Sequence, residues 1–124
     1  MVIAVNNLKS IEMKGRSFLL ILAFSTSLSV SMAGEMPTGA NVQSGNVTIS
    51  GQNTNHLIIE QSTNKSIINW DSFSIHDKGR VDFNMPSSIS SSLNRVTGST
   101  PSSIAGQLNS NGKVLIINPN GVMI

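Results

Sequence analysis

The sequence contains no cysteine. Disulfide staples, thiol nucleophiles and cysteine-ligated zinc are therefore excluded together. Beyond residue 33 it also lacks a surplus of either charge. Lys65, Lys78, Arg80, Arg95 and Lys113 are matched by Glu35, Glu60, Asp71, Asp77 and Asp82. The formal net charge of +2 and the pI near 9.4 come from the first residues of the chain. A nucleic-acid binder keeps a basic surplus on its folded part, so no nucleic-acid partner is expected. His56 and His76 stand alone, without the spacing of zinc ligands, and read as surface residues. No nucleophile motif and no phosphate-cradling loop is present. No metal, no cofactor and no catalytic residue is expected.

The chain also lacks an apolar run long enough to span a bilayer, which takes roughly 20 mostly apolar residues. Its longest run, Phe18 to Val30, reads FLLILAFSTSLSV and is diluted by Ser and Thr. Lys14 and Arg16 precede it, and Ser31-Met32-Ala33 comes after it with small residues three and one positions before Gly34. A positive segment, an apolar segment and a small-residue junction in this order make a cleavable secretory signal. Residues 1–33 are read as that signal, with cleavage between Ala33 and Gly34 and Met13 as the true start. Sec machinery and a signal peptidase are the implied partners, and the first twelve residues add nothing recognisable.

Helix formers are scarce in the remainder of the chain. Among residues 34–124, Ile and Val total 17 while Leu and Ala total 6, and Asn, Ser and Thr make up 33 of 91. Branched side chains favour strands, and the short polar residues favour turns over helix. The mature chain is expected to be all β. Strands are expected at Val47–Ile49, His56–Glu60, Ser66–Trp70, Ser72–Ile75, Arg80–Phe83, Leu93–Val96, Val114–Ile117 and from Val122 onward. Ser87–Ser92 reads as a loop, and Asn111-Gly112 and Asn118-Pro119-Asn120-Gly121 read as turns. Many short strands fit either an antiparallel sandwich or a parallel β-helix of stacked coils, and the pattern favours neither.

Four segments carry a family resemblance: IINWDSFSI (Ile67–Ile75), VDFNMPS (Val81–Ser87), LNRVTG (Leu93–Gly98) and GQLNSNGKVLIINPNGVMI (Gly106–Ile124). In order and spacing they resemble the amino-terminal two-partner secretion (TPS) domain of filamentous haemagglutinin-like exoproteins, the haemagglutination activity domain family. The resemblance implies a right-handed parallel β-helix, of which residues 45–124 are the N-terminal part after a short leader at 34–44. It implies a transporter barrel with POTRA domains in the outer membrane as partner. It also implies a place outside the cell, or on its surface, reached through the periplasm of a Gram-negative bacterium, with adhesin, haemolysin or toxin cargo further along. One departure is that the family domain is longer and some members carry a second Asn-Pro motif absent here.

By this resemblance Asn118, Pro119, Asn120 and Gly121 form the secretion motif. Asn94, Arg95 and Gly98, with Asn69, Trp70 and Phe73, form motifs read as structural. Arg95 is expected to pair with an acid or with corner carbonyls, and Trp70 and Phe73 to fill a cap or core. Two other functions are open: an adhesion surface binding a host-cell glycan or protein, and a polysaccharide-acting enzyme using Asp71, Asp77 or Asp82. Turn and outward strand positions account for each of those aspartates.

Overall fold

The computed structural model describes residues 2–5 and 34–124. Residues 6–33, with the apolar stretch of the signal, Ala33 and the Met13 start, lie outside the described residues. Among the described residues eleven strands occur in order: β1 (Val2–Val5), β2 (Asn41–Ser44), β3 (Val47–Ser50), β4 (His56–Gln61), β5 (Lys65–Trp70), β6 (Arg80–Asn84), β7 (Ser91–Val96), β8 (Ser102–Ser103), β9 (Gln107–Ser110), β10 (Lys113–Ile117) and β11 (Val122–Met123). All the regular structure described is strand.

The strands form one sheet in the order β1-β10-β7-β5-β2, a second in the order β3-β4-β6-β9, and a small pair β11-β8. β6, β7, β9, β10 and β11 are each laid parallel to an earlier strand. Leu57 pairs with Val81 and Val81 with Leu108. Ile67 pairs with Leu93 and Leu93 with Leu115. Val122 pairs with Ser102 in the third sheet. These parallel ladders exclude the antiparallel sandwich. Among the described residues, antiparallel strand pairing lies at two sheet edges, β2 against β5 and β3 against β4, with one isolated antiparallel bridge from Thr38 to Ser72.

Alternation sets which side faces inward. In β4, β6 and β10, residues of successive parity point to opposite faces, so Leu57, Ile59, Val81, Phe83, Val114 and Ile116 are buried together with Ile68 and Trp70 of β5. Each such side chain contributes about 1.5–3 kcal/mol by leaving water. Polar groups share this interior. Ser66, Ser92, Asn94, Gln61 and Asn118 are all buried, and no buried side-chain donor or acceptor among the described residues lacks a partner.

The structure departs from the sequence reading in several places, β8 and β9 among them. Ser72–Ile75 is not a strand; Ser72 makes a single bridge to Thr38 and Ile75 another to Ile104. Phe73 and Ile75 still point inward, both fully buried. β7 begins at Ser91, inside the expected loop, because the Ser92 hydroxyl is accepted into the interior by a 2.9 Å hydrogen bond from Ser66. The leader contributes β2. Finally, Val2–Val5 runs parallel to β10, from Val2 opposite Val114 to Val5 opposite Ile117.

The outward side of the β4-β6-β9 sheet holds the most charged cluster. Asp82 accepts from His56 Nε2 at 2.7 Å, from Arg80 Nε at 2.9 and 3.1 Å, and from Asn109 Nδ2 at 3.0 Å. Burial pushes its carboxyl pKa up, but the hydrogen bonds from His56, Asn109 and Arg80 and the Arg80 charge together outweigh that and leave it below the ordinary value. A depressed carboxylate stabilises the fold above its unfolded pKa, about 3.9, and that stability is lost as pH falls through the folded value. Thermal melting of the folded protein should therefore decline below about pH 4, and Asp82→Asn should flatten the decline. An unchanged acid limb in Asp82→Asn would refute the linkage.

Candidate functional site

Asn118 to Gly121 form a tight turn closed by Gly121 N–H donating to Asn118 O at 3.0 Å. Proline at the second position presets its torsion. Gly121 sits at φ 116°, a region side-chain-bearing residues avoid. Asn118 Oδ1 accepts the Asn120 N–H at 2.9 Å, which braces the turn from within. Its Nδ2 points inward and donates to Thr100 O at 2.9 Å and Ser102 Oγ at 3.0 Å. Asn118 is buried, whereas Pro119 is exposed.

Asn120 ties this turn to the other family motif, since its Nδ2 donates to Gly98 O at 2.9 Å. Ser102 N–H donates to Gly121 O at 2.9 Å on the same corner. Gly98 is itself held close, because a Cβ there would run into the carbonyl oxygen of Asp71. The LNRVTG and INPNG segments, separate in sequence, thus meet at one corner.

Asn94 lies at the interior end of that corner. Its Oδ1 accepts the Trp70 indole N–H at 2.9 Å. Its Nδ2 reaches Ser92 Oγ at 3.2 Å and Leu115 O at 3.3 Å. It therefore bridges three neighbouring strands, β5, β7 and β10. Trp70 and Phe73 meet edge to face, with centroids 5.3 Å apart and planes at 81°, a favoured aromatic geometry. Both are buried in the core.

Arg95 points the other way, to solvent. Its Nε donates to Asn69 Oδ1 at 2.9 Å, a side-chain carbonyl in place of the expected acid or corner carbonyl. The pair lines an open groove of about 360 Å³ with Val96, Thr97, Ile117 and Pro119, so both motifs reach one surface recess.

The remaining sequence candidates do not gather. Asp71 is exposed near Gly39, Asp77 is exposed in the turn before β6, and both Asp82 oxygens are engaged as described. His56 pairs with Asp82 on an open face. His76 is not the surface residue expected; its side chain is 15% exposed and bonds Asn55 Oδ1 at 3.0 Å, with Gly34 packed against the ring. Among the described residues no three His, Asp or Glu side chains come together as a metal set. Sequence reasoning missed Thr100 and Ser102 as partners of the Asn118 turn, and nothing in their local pattern signals that role.

An all-β chain of parallel ladders, with two asparagine motifs locked at one corner, has the features of a secretion domain. The pattern of the family described as TPS secretion domain matches residues 33–124, and the chain belongs to that family. TPS domains are secretion modules of exoproteins exported by two-partner systems. They engage an outer-membrane transporter, and their exoproteins are secreted or surface proteins of Gram-negative bacteria. The chain is similar to a heme/hemopexin-binding protein of Haemophilus influenzae strain Rd, 40% identical over 106 residues, which are 86% of this chain and 12% of that protein. A second heme/hemopexin-binding protein of Haemophilus influenzae is 36% identical over 106 residues, 86% of this chain and 11% of that protein. Among solved structures, the HMW1 secretion domain from Haemophilus influenzae aligns with TM-score 0.64 and 38% identity over 69% of this chain and 23% of that one. The chain thus spans about an eighth of the length of these curated relatives.

Proposed function

We propose that this chain is the secretion-recognition module of a large surface-exposed or secreted adhesin or haemagglutinin, and that residues 45–124 are the opening coils of a right-handed parallel β-helix. Residues 1–33 direct it through the Sec machinery, signal peptidase cuts between Ala33 and Gly34, and 34–44 lead into the folded part. In the periplasm the POTRA domains of a transporter barrel take the domain, and the exoprotein is drawn outward after it. The observation that carries this reading is the bond from Asn120 to Gly98, which makes the two family motifs one structural unit.

Strand addition is the recognition mode proposed: once signal cleavage removes β1, the segment Val114–Ile117, alternating and branched, offers main-chain hydrogen bonds to an exposed sheet edge. The test tracks the mature segment, extended by its natural downstream sequence, in cells with and without the partner barrel. Export only with the barrel is expected; equal export without it overturns the proposal.

The relatives' names favour a second reading of the cargo, in which the exoprotein binds a haem-carrying protein instead of acting as an adhesin. That activity would belong to the longer protein. Retention of hemopexin by the extended exoprotein, against retention of host-cell glycans, separates the two.

A further inference from the structure

The charges of the mature chain cancel in number but not in space. The five-stranded sheet carries Lys65, Arg95 and Lys113 and no acid, while Glu60 and Asp82 lie on the β3-β4-β6-β9 sheet and Glu35, Asp71 and Asp77 lie between strands. Sheets that share a core lie about 10 Å apart, about one Debye length in physiological salt. The acids of the far sheet therefore do little to offset the cations of the near one.

The same sheet turns an apolar row outward. Ile67, Leu93 and Leu115 occupy matching register positions on β5, β7 and β10, and all three are partly exposed. Lys65 and Lys113 flank this row on one side, in register with Ser91 between them. Arg95 flanks it on the other, between Asn69 and Ile117, and Ile117 is 37% exposed. Among the described residues, Arg95 is bonded through Nε to Asn69, and no partner there engages its terminal guanidinium nitrogens. The row ends at the recess that Arg95 shares with Pro119.

We propose that the outward face of β5-β7-β10 is the docking surface for an acidic protein partner, whose apolar centre covers Ile67, Leu93 and Leu115 and whose carboxylates meet Lys65, Lys113 and Arg95. This rests on the secretion reading above and assigns the transporter's periplasmic region as that partner. A protein fits better than an anionic bilayer. The aliphatic side chains lie half-buried along the sheet instead of projecting as a membrane wedge does, and a free guanidinium fork pairs bidentately with a planar carboxylate. Charge complementarity of this kind sets association rate and salt dependence.

The test immobilises a purified two-partner transporter from the source organism and measures binding of the signal-processed chain, extended by its natural downstream sequence, at low and physiological salt. A parallel arm uses vesicles of mixed phosphatidylglycerol and phosphatidylethanolamine. The charge reversals Lys65→Glu, Arg95→Glu and Lys113→Glu are combined, with Lys65→Glu plus Lys113→Glu as a second variant that leaves the Arg95–Asn69 bond intact. Lys78→Glu, in a turn off this sheet, is the control. The double variant is expected to weaken transporter binding about tenfold, and the triple variant further, at unchanged melting temperature. The control should stay within about twofold. Wild-type affinity in the folded double variant overturns the docking face while leaving the secretion reading standing. Failure of the wild-type chain to bind the transporter overturns both. Binding of the vesicles, and not of the transporter, by the same cationic residues overturns the protein partner.

Discussion

Exchange of Asn120 for proline together with Gly121 for valine is expected to abolish accumulation of the chain outside the cell while leaving its passage into the periplasm intact. Proline at 120 removes the N–H that donates to Asn118 Oδ1, and with the Asn120 side chain go the bonds to Gly98 O and Asn118 Oδ1. Valine at 121 places a branched side chain at φ 116°. Each lost bond costs about 1 kcal/mol, and the strained backbone costs about 1–3 kcal/mol more. The sum, about 4–6 kcal/mol, is of the order of a whole domain's stability, which is about 5–15 kcal/mol. The corner where the two motifs meet should open, and with it the order of the last described strand. Immunoblots of medium and periplasm, with the transporter present, read the outcome. Normal export of the double variant would defeat the required role of the turn.

The second large effect is at Trp70. Trp70→Ala removes a side chain that is 1% exposed, its edge-to-face contact with Phe73 and the donor to Asn94 Oδ1. Truncations of this size in a packed core cost about 3–5 kcal/mol. Trp70→Phe keeps a ring but leaves the Asn94 oxygen unsatisfied in the interior, at about 1–3 kcal/mol. Urea unfolding of the folded exoprotein's amino-terminal region, monitored by circular dichroism, should rank wild type above Trp70→Phe above Trp70→Ala. If Trp70→Ala unfolds within about 1 kcal/mol of wild type, less than any single buried apolar side chain contributes, the aromatic pair does not hold the core.

Much of the strand layout was legible because alternation is a local signal. His56 to Glu60, Arg80 to Phe83 and Val114 to Ile117 each bury every second residue, and each lies within one or two residues of its observed bounds. The Asn118 turn was legible for the same reason: proline, asparagine and glycine in that order specify a turn without help from elsewhere. Asn41–Ser44 was missed because it has no inward face at all; every residue in it is exposed, and its strand character comes from pairing with β5. Ser92 and Asn94 have side chains that the residue type alone places at the surface or in turns. They are buried because Ser66 and Trp70 supply partners from a strand some 26 and 24 residues away. Ser72–Ile75 has strand composition, but Thr38 O takes the Asp71 and Ser72 N–H groups, so only isolated bridges form. The bond between Gly98 and Asn120 spans 22 residues and leaves no trace in either motif by itself. Choosing parallel ladders over a sandwich likewise depended on pairings between distant segments, which turn residues do not encode.

The antiparallel strands β2 and β3 close one side of each large sheet. A newly arriving parallel strand finds its complement of amide and carbonyl groups on the opposite side, where β9 ends its sheet. From β2 onward, assembly of such a structure has a built-in sense of direction: β2 and β3 seal one side and later strands are added on the other, as a zipper closes from its fixed stop. A polypeptide that emerges amino terminus first through a narrow opening would then consolidate behind its own leading end, and each segment laid down would make retreat through that opening less favourable.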